Sequence, residues 1–404
     1  MKSSLILSVA LGMVLPAAVS CEILDDDIVK HSSPEDSVNY VELDEVARLF
    51  SALPLDHEHL IEVHDAVTSS AENGYDEEYM MKNLFDSPGS GVGELPSKGG
   101  KTYSNPLKNL VEDYLKSNPG TKAGNFFSAE EFISALASSD VQIYWPFSEE
   151  WDGASLPVMT FDPCIDGKTV NVGYEMVIDD DGFRHVREVE VDEEMARQRP
   201  VWVINSNSDA GHTTLEMLRR DDPQWGEGGG SIIIGPHENK SSTKGSKQLK
   251  TLVLKDFTMK RHYDSWFAGA SEFWVKVGFV DDFTASTEAE LRLYNPSVTD
   301  FMVVVRRNQL GKPVPFNAIL VSDWSDQMTH CAFMITEDDG GTQTSWTAKA
   351  LVKISSKSYG VEVTLPLNTK DDIVWRGQLA SNWFEEYEDV TGHFGDVDLT
   401  FGIM

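Results

Sequence analysis

The chain is short of basic charge. Lysine and arginine number 33 against 66 aspartates and glutamates, a formal net charge of −33 over 404 residues. That balance excludes a nucleic-acid partner, because phosphate binding needs clustered Lys and Arg. Cysteine is scarce as well, at three residues. A disulfide-rich scaffold is excluded, and Cys164 ("FDPCID") and Cys331 ("HCAFMI") are read as isolated buried thiols, with a bridge between them as the alternative. After the first twenty residues no stretch approaches the ~18 apolar residues of a membrane-spanning helix. Catalytic signatures are missing too. "HEHLIEVH" (57–64) carries Ile61 where a zinc-protease helix needs its second histidine, and His57 and His64 stand about 10.5 Å apart along a helix. "GSGVG" (89–93) lacks the strand and glycine spacing of a dinucleotide loop. "DDDG" (179–182) has its glycine fourth, where a calcium-binding EF-hand loop has it sixth.

What is present begins with a leader. Lys2, the apolar "LILSVALGMVL" and Pro16 lead to "AVSC", with Cys21 as the first cysteine. This is the pattern of a secretory signal peptide over 1–20. Small residues directly before a cysteine also resemble a bacterial lipobox, in which Cys21 becomes the lipidated N-terminus and holds the chain to a membrane. The alternative is plain secretion. Residues 21–39 are acidic and polar, and read as a tether or surface-export signal.

Periodicity then divides the chain. From 40 to 140 the apolar spacing is helical, with an N-cap at Asp56 and a capping box in "SAEE" (128–131). From 141 to 237 it alternates, and "DDDG" joins two strands as a hairpin. "GEGGGSIIIGPHENKSSTKGSK" (226–247) marks a boundary. From 247 to 404 short strands recur between turn residues, the pattern of an antiparallel β-sandwich. The expected fold class is α+β and multidomain: a helical domain, a β-rich middle domain and a C-terminal sandwich.

Residues 251–278, "TLVLKDFTMKRHYDSWFAGASEFWVKVG", resemble the opening of a C2 domain, a calcium-dependent β-sandwich. Glu272 stands where that family usually has aspartate. The resemblance implies calcium held by acids on loops at one end of the sandwich. Asp264 would be joined by Asp323 and Asp326 of "SDWSDQ" and by Glu337, Asp338 and Asp339 of "TEDDGG". Carboxylates and carbonyls are the ligands calcium takes, although acids also serve as solvated turns. Several of the ten tryptophans (Trp266, Trp324, Trp346, Trp383) lie near turns, where they either stack on sugars or fill the core.

As a whole the chain resembles uncharacterised lipoproteins of gut Bacteroidales, in "ENGYDEEYMMKNLF", "PVWVIN", "STEAELRLYNPSVTDFMVVV", "AFMITEDDGGT" and "DDIVWRGQL". That resemblance implies a cell-envelope, outer-membrane address and no particular activity. The expectation is a binding or structural protein contacting a glycan or an envelope protein, with calcium as its cofactor. The alternative is a hydrolase of polysaccharide or peptide using paired carboxylates.

Overall fold

The computed structural model describes residues 41–85, 103–118, 126, 128–165, 167–179, 181–207, 214, 216, 250–385 and 389–404. The expected signal peptide, Cys21, the expected acidic tether and the 226–247 strip lie outside the described residues. The chain is α+β, with helices first and antiparallel-rich sheets after them. No helix among the described residues is long and apolar enough to cross a membrane.

Helices α1 (Leu43–Ala52), α2 (His57–Glu72), α4 (Leu107–Ser117) and α5 (Ala129–Ala137) follow the apolar periodicity. The starts of α2 and α5 are fixed by side-chain caps. Asp56 Oδ1 accepts from the amides of Glu58 and His59 at 3.0 and 3.2 Å, while His59 Nδ1 accepts from the Asp56 amide at 3.1 Å. Ser128 Oγ accepts from the Glu131 amide at 3.1 Å. Each bond satisfies a donor that a helix start leaves orphaned. "DEEYMMKNLF", inside the stretch read as helical, instead divides into strand β1 (Glu78–Met80) and the short helix α3 (Met81–Phe85). Pairing of β1 with the next strand satisfies its backbone and overrides helical propensity.

The first sheet runs β1-β2-β6-β3-β4-β5, with β2 Val141–Tyr144, β3 Val158–Phe161, β4 Val170–Ile178, β5 Arg184–Asp192 and β6 Val201–Ser206. All its pairs are antiparallel except β3 with β6. The β4–β5 hairpin turns where "DDDG" places it, with Gly182 at φ 81°. Helix α6 (Glu193–Gln198) leads from β5 into β6. Phe50, Leu60 and Phe132 of the helices share one apolar cluster with Ile143, Trp202 and Ile204 of the strands. The boundary expected at 140 therefore does not separate two cores; the helices cover a face of the sheet.

Ten strands make the C-terminal sandwich. One sheet has the order β10-β7-β16-β15: Val314–Trp324, Lys250–Met259, Val397–Ile403 and Asp389–Phe394. The other runs β13-β12-β11-β8-β9, with β14 also paired to β11: Lys357–Asn368, Gln343–Ile354, Met328–Glu337, Ser271–Phe279, Ser297–Val305 and Asp372–Ala380. Phe257 of one sheet meets Phe273 of the other at 4.9 Å between ring centroids, and Phe333 meets Phe401 at 5.9 Å. Within the stretch read as recurring strands, Glu288–Leu291 is instead a helical turn, with Leu293 left exposed. Cys331 is a buried free thiol, as expected there, whereas Cys164 is only half-buried.

One loop joins the two units. Between β7 and β8 it carries Trp266 and Phe267 into an apolar cluster with Tyr144, Val201 and Val203 of the first sheet. Trp266 Nε1 donates to the Thr169 carbonyl at 2.9 Å, and Asn205 Nδ2 donates to those of Phe267 and Ala268 at 3.0 and 2.6 Å. Asp76 Oδ2 accepts from the Ala270 amide at 2.8 Å. This close approach needs a glycine: a Cβ on Gly269, at φ 136°, would stand 2.9 Å from that same oxygen. Arg307, 5% exposed, seals the junction, with Nε 3.2 Å from Glu193 Oε1 and Nη1 donating to the carbonyls of Asp264 and Gly269 at 3.3 Å.

Candidate metal centre

The loop that docks the two units also carries Asp264. Strands β8 and β11 pair antiparallel, with Glu337 opposite Phe273, and the Asp338 amide donates to the Glu272 carbonyl at 2.9 Å. Glu272 and Glu337 thus reach the same end of neighbouring strands, and the loop brings Asp264 to them. Carboxylate oxygens of the three residues lie within 4.8 Å of one another.

Burial makes this meeting costly. Glu337 is 1% exposed, and Asp264 and Glu272 are half-buried. Glu337 Oε1 and Asp264 Oδ2 are both buried with no hydrogen-bond partner, a condition rare in folded proteins and expensive where it occurs. Burial, then a hydrogen bond to Asp264, then the charge of that carboxylate hold the Glu337 carboxyl well above the usual carboxylate range. Burial raises Asp264 likewise. Two close carboxyls in such a setting either share a proton or share a cation.

The donor set suits a hard ion. Calcium binds oxygen at 2.3–2.6 Å, so ligands on opposite sides of one ion stand about 5 Å apart, a limit the cluster meets. No histidine or cysteine belongs to it, which sets it apart from zinc and copper sites. The cluster could therefore hold a metal ion, and it is the one group of three such ligands among the described residues.

Of the residues expected to bind calcium, Asp264 and Glu337 are at the centre. Asp338 and Asp339 stand beside it. Asp338 is occupied in the β11–β12 turn: Oδ2 accepts from Trp274 Nε1 at 2.8 Å, and Oδ1 from the Gly340 amide at 2.9 Å and Asn368 Nδ2 at 3.3 Å. Asp339 is raised to about 6 by burial and then by the charge of Asp264. Asp323 and Asp326 are not brought there. Strand β10 runs antiparallel to β7, so Trp324 pairs with Lys250 at the start of β7 while Asp264 follows its end. The ten residues of β11, about 30 Å of strand, lie between Asp326 and Glu337. Asp326 stands 3.9 Å from Lys250 instead, and the charge of Asp323 falls on Asp281.

The centre opens on a cleft of about 140 Å³ between the two units, lined by Asp76, Gln142, Ser206, Asn207, Asp264, Glu272, Asp338 and Asp339, with Ala268 and Ala270. Asp76, Gln142 and the buried neighbours Glu77 and Glu78 carried no site expectation. Their signal was three consecutive acids running into the apolar "YMM" without an intervening base. Glu77 Oε1 accepts from the amide and hydroxyl of Ser148 at 3.0 and 2.8 Å. Glu78 accepts from Asn207 Nδ2 and, at 3.4 Å, from Ser70 Oγ. The histidines of "HEHLIEVH" bind no such centre: His64 Nε2 is 3.2 Å from the Ser148 carbonyl, and its ring packs on Trp151 at 5.2 Å. Trp266 and Trp324 are buried, so they pack the interior, while Trp383 is exposed.

No protein-family model matches the chain, and no curated protein is similar to it at a significant level.

Proposed function

We propose that the chain is an envelope-exported binding protein whose acidic centre takes calcium, anchored through lipid on Cys21 and contacting a glycan or an envelope protein. The observation that carries the cation is Glu337 Oε1, a carboxylate oxygen in the interior with no donor, facing two further carboxylates. A divalent ion supplies the missing partner and offsets the charge. Calcium suits the centre better than magnesium, because calcium accepts several carboxylates in irregular geometry while magnesium holds to a water-rich octahedron. The hydrolase reading draws on the same pair of carboxyls. It is the weaker one, because a general acid or base must come within hydrogen-bond reach of a substrate and Glu337 is 1% exposed. The C2 likeness supports the reading only through Asp264 and the strand after it.

The test is a calorimetric titration of calcium into the metal-free protein, with magnesium in parallel and Glu337→Gln as control. One saturable calcium site that weakens severely in the variant supports the reading. Absence of binding at millimolar calcium refutes it.

A further inference from the structure

Three carboxylates fill only part of a calcium coordination sphere, which takes six to eight oxygens. All three come from the sandwich, and the cleft on the other side is walled by the first unit. The chemistry of that wall is selective. Among the described residues its lining includes no lysine, arginine or large apolar side chain to partner an anion or a greasy ligand. It offers neutral hydrogen-bonding groups, the amides of Gln142 and Asn207 and the hydroxyl of Ser206, beside the carboxylate of Asp76. Gln142 is 2% exposed, and its Oε1 is buried with no hydrogen-bond partner. It is a second orphan acceptor, from the opposite unit and independent of the acidic cluster.

From these observations we infer that the cleft binds a neutral, hydroxyl-rich ligand, a saccharide presenting adjacent hydroxyls, with two of its oxygens on the cation and hydroxyl donors directed to Gln142 and Asp76. The inference rests on the calcium reading. Hydroxyl groups match the site because each is acceptor and donor at once: the lone pair serves the ion and the proton serves a carboxylate or amide oxygen. A negatively charged sugar would meet Asp76, Asp338 and Asp339 across the same space and be repelled. A cationic amine is the competing occupant, and it would bind where calcium does rather than together with it.

The experiment uses the full chain in two stages. Calorimetry with calcium alone decides the cation. The calcium-loaded protein is then screened by saturation-transfer NMR against methyl α-mannoside, methyl α-glucoside, methyl β-galactoside and methyl α-fucoside, with N-acetylneuraminic acid and spermidine as charged controls. The expected result is binding of at least one neutral pyranoside that disappears on chelation. Gln142→Ala should weaken it roughly tenfold, as loss of a buried hydrogen bond does, with calcium affinity nearly unchanged. Calcium binding without any neutral pyranoside overturns the inference while leaving the calcium reading intact. Pyranoside binding indifferent to chelation overturns it as well, and so does spermidine binding to the metal-free protein in competition with calcium. Failure of the first stage defeats both.

Discussion

Replacing Glu337 by glutamine should act in opposite directions with and without calcium. In the metal-free protein at pH 7, Glu337 and Asp264 cannot both ionise without cost. Two unit charges no more than 4.8 Å apart repel by at least about 3.5 kcal/mol at an effective dielectric of 20. The other route, keeping a proton on Glu337 against its ordinary value of 4.5, costs about 3.4 kcal/mol at pH 7. Either route destabilises the fold by a similar amount. Glutamine removes that cost, keeps the shape and can donate its amide to Asp264, so the variant should gain about 1–3 kcal/mol in EDTA. In calcium the order reverses, because wild type gains the linkage term, about 2.7 kcal/mol at a hundredfold excess over Kd, and the variant does not. Urea unfolding at pH 7, in EDTA and in calcium, reads both. The sign with pH is also set. Both carboxyls are raised in the folded state, so the metal-free protein loses stability as pH climbs above the ordinary carboxyl value, and the calcium increment grows over the same window. A Glu337→Gln variant that is destabilised in EDTA would refute the reasoning, since the carboxyl would then be satisfied by something other than a cation.

Other expectations follow from neighbouring contacts. Asp323→Asn with Asp326→Asn should leave calcium affinity unchanged by calorimetry, because those residues sit at the other end of the sandwich. Phe267→Ala removes a fully buried ring from the junction and should cost about 3–5 kcal/mol in urea unfolding; it should also weaken calcium binding, since the same loop carries Asp264. Glu77 is held above its ordinary 4.5 by burial and then by Asp76, so the folded state retains a proton that the unfolded chain releases, and stability falls as pH rises through that window. Glu77→Gln preserves the acceptor for Ser148 and should flatten that part of the melting-temperature profile, with a gain of about 1–3 kcal/mol at pH 7. Cys21→Ser should release the protein from membranes and abolish palmitate labelling; recovery of Cys21 in a disulfide-linked peptide would contradict the anchor.

Some of the fold was legible because its causes are local. Asp56 and Ser128 announce helix starts through bonds to amides two or three residues away, and the alternation of "VNVGYEMVI" and "FRHVREVEV" around "DDDG" specifies a hairpin by itself. Strand β3 was missed, since four residues paired on one side in parallel with β6 leave no periodic mark. The shared core of helices and first sheet was hidden for a related reason: Ile143, Trp202 and Ile204 are buried wherever the facing layer comes from. At the site, Asp264 and Glu337 stood out as acids beside strand ends. Glu272 did not, because its closeness to Glu337 depends on the β8–β11 register. Asp323 and Asp326 misled because a cluster of acids does not reveal the direction of its strand, and β10 points it away from Asp264.

The central claim is that a hard cation sits among Asp264, Glu272 and Glu337. It is tested most directly by anomalous diffraction from crystals of the protein soaked in manganese, with calcium as competitor. The account predicts one strong peak within coordination distance of all three carboxylates, erased by excess calcium and absent in Glu337→Gln. A map with no peak there, or with its peak at Asp323 and Asp326, would contradict it.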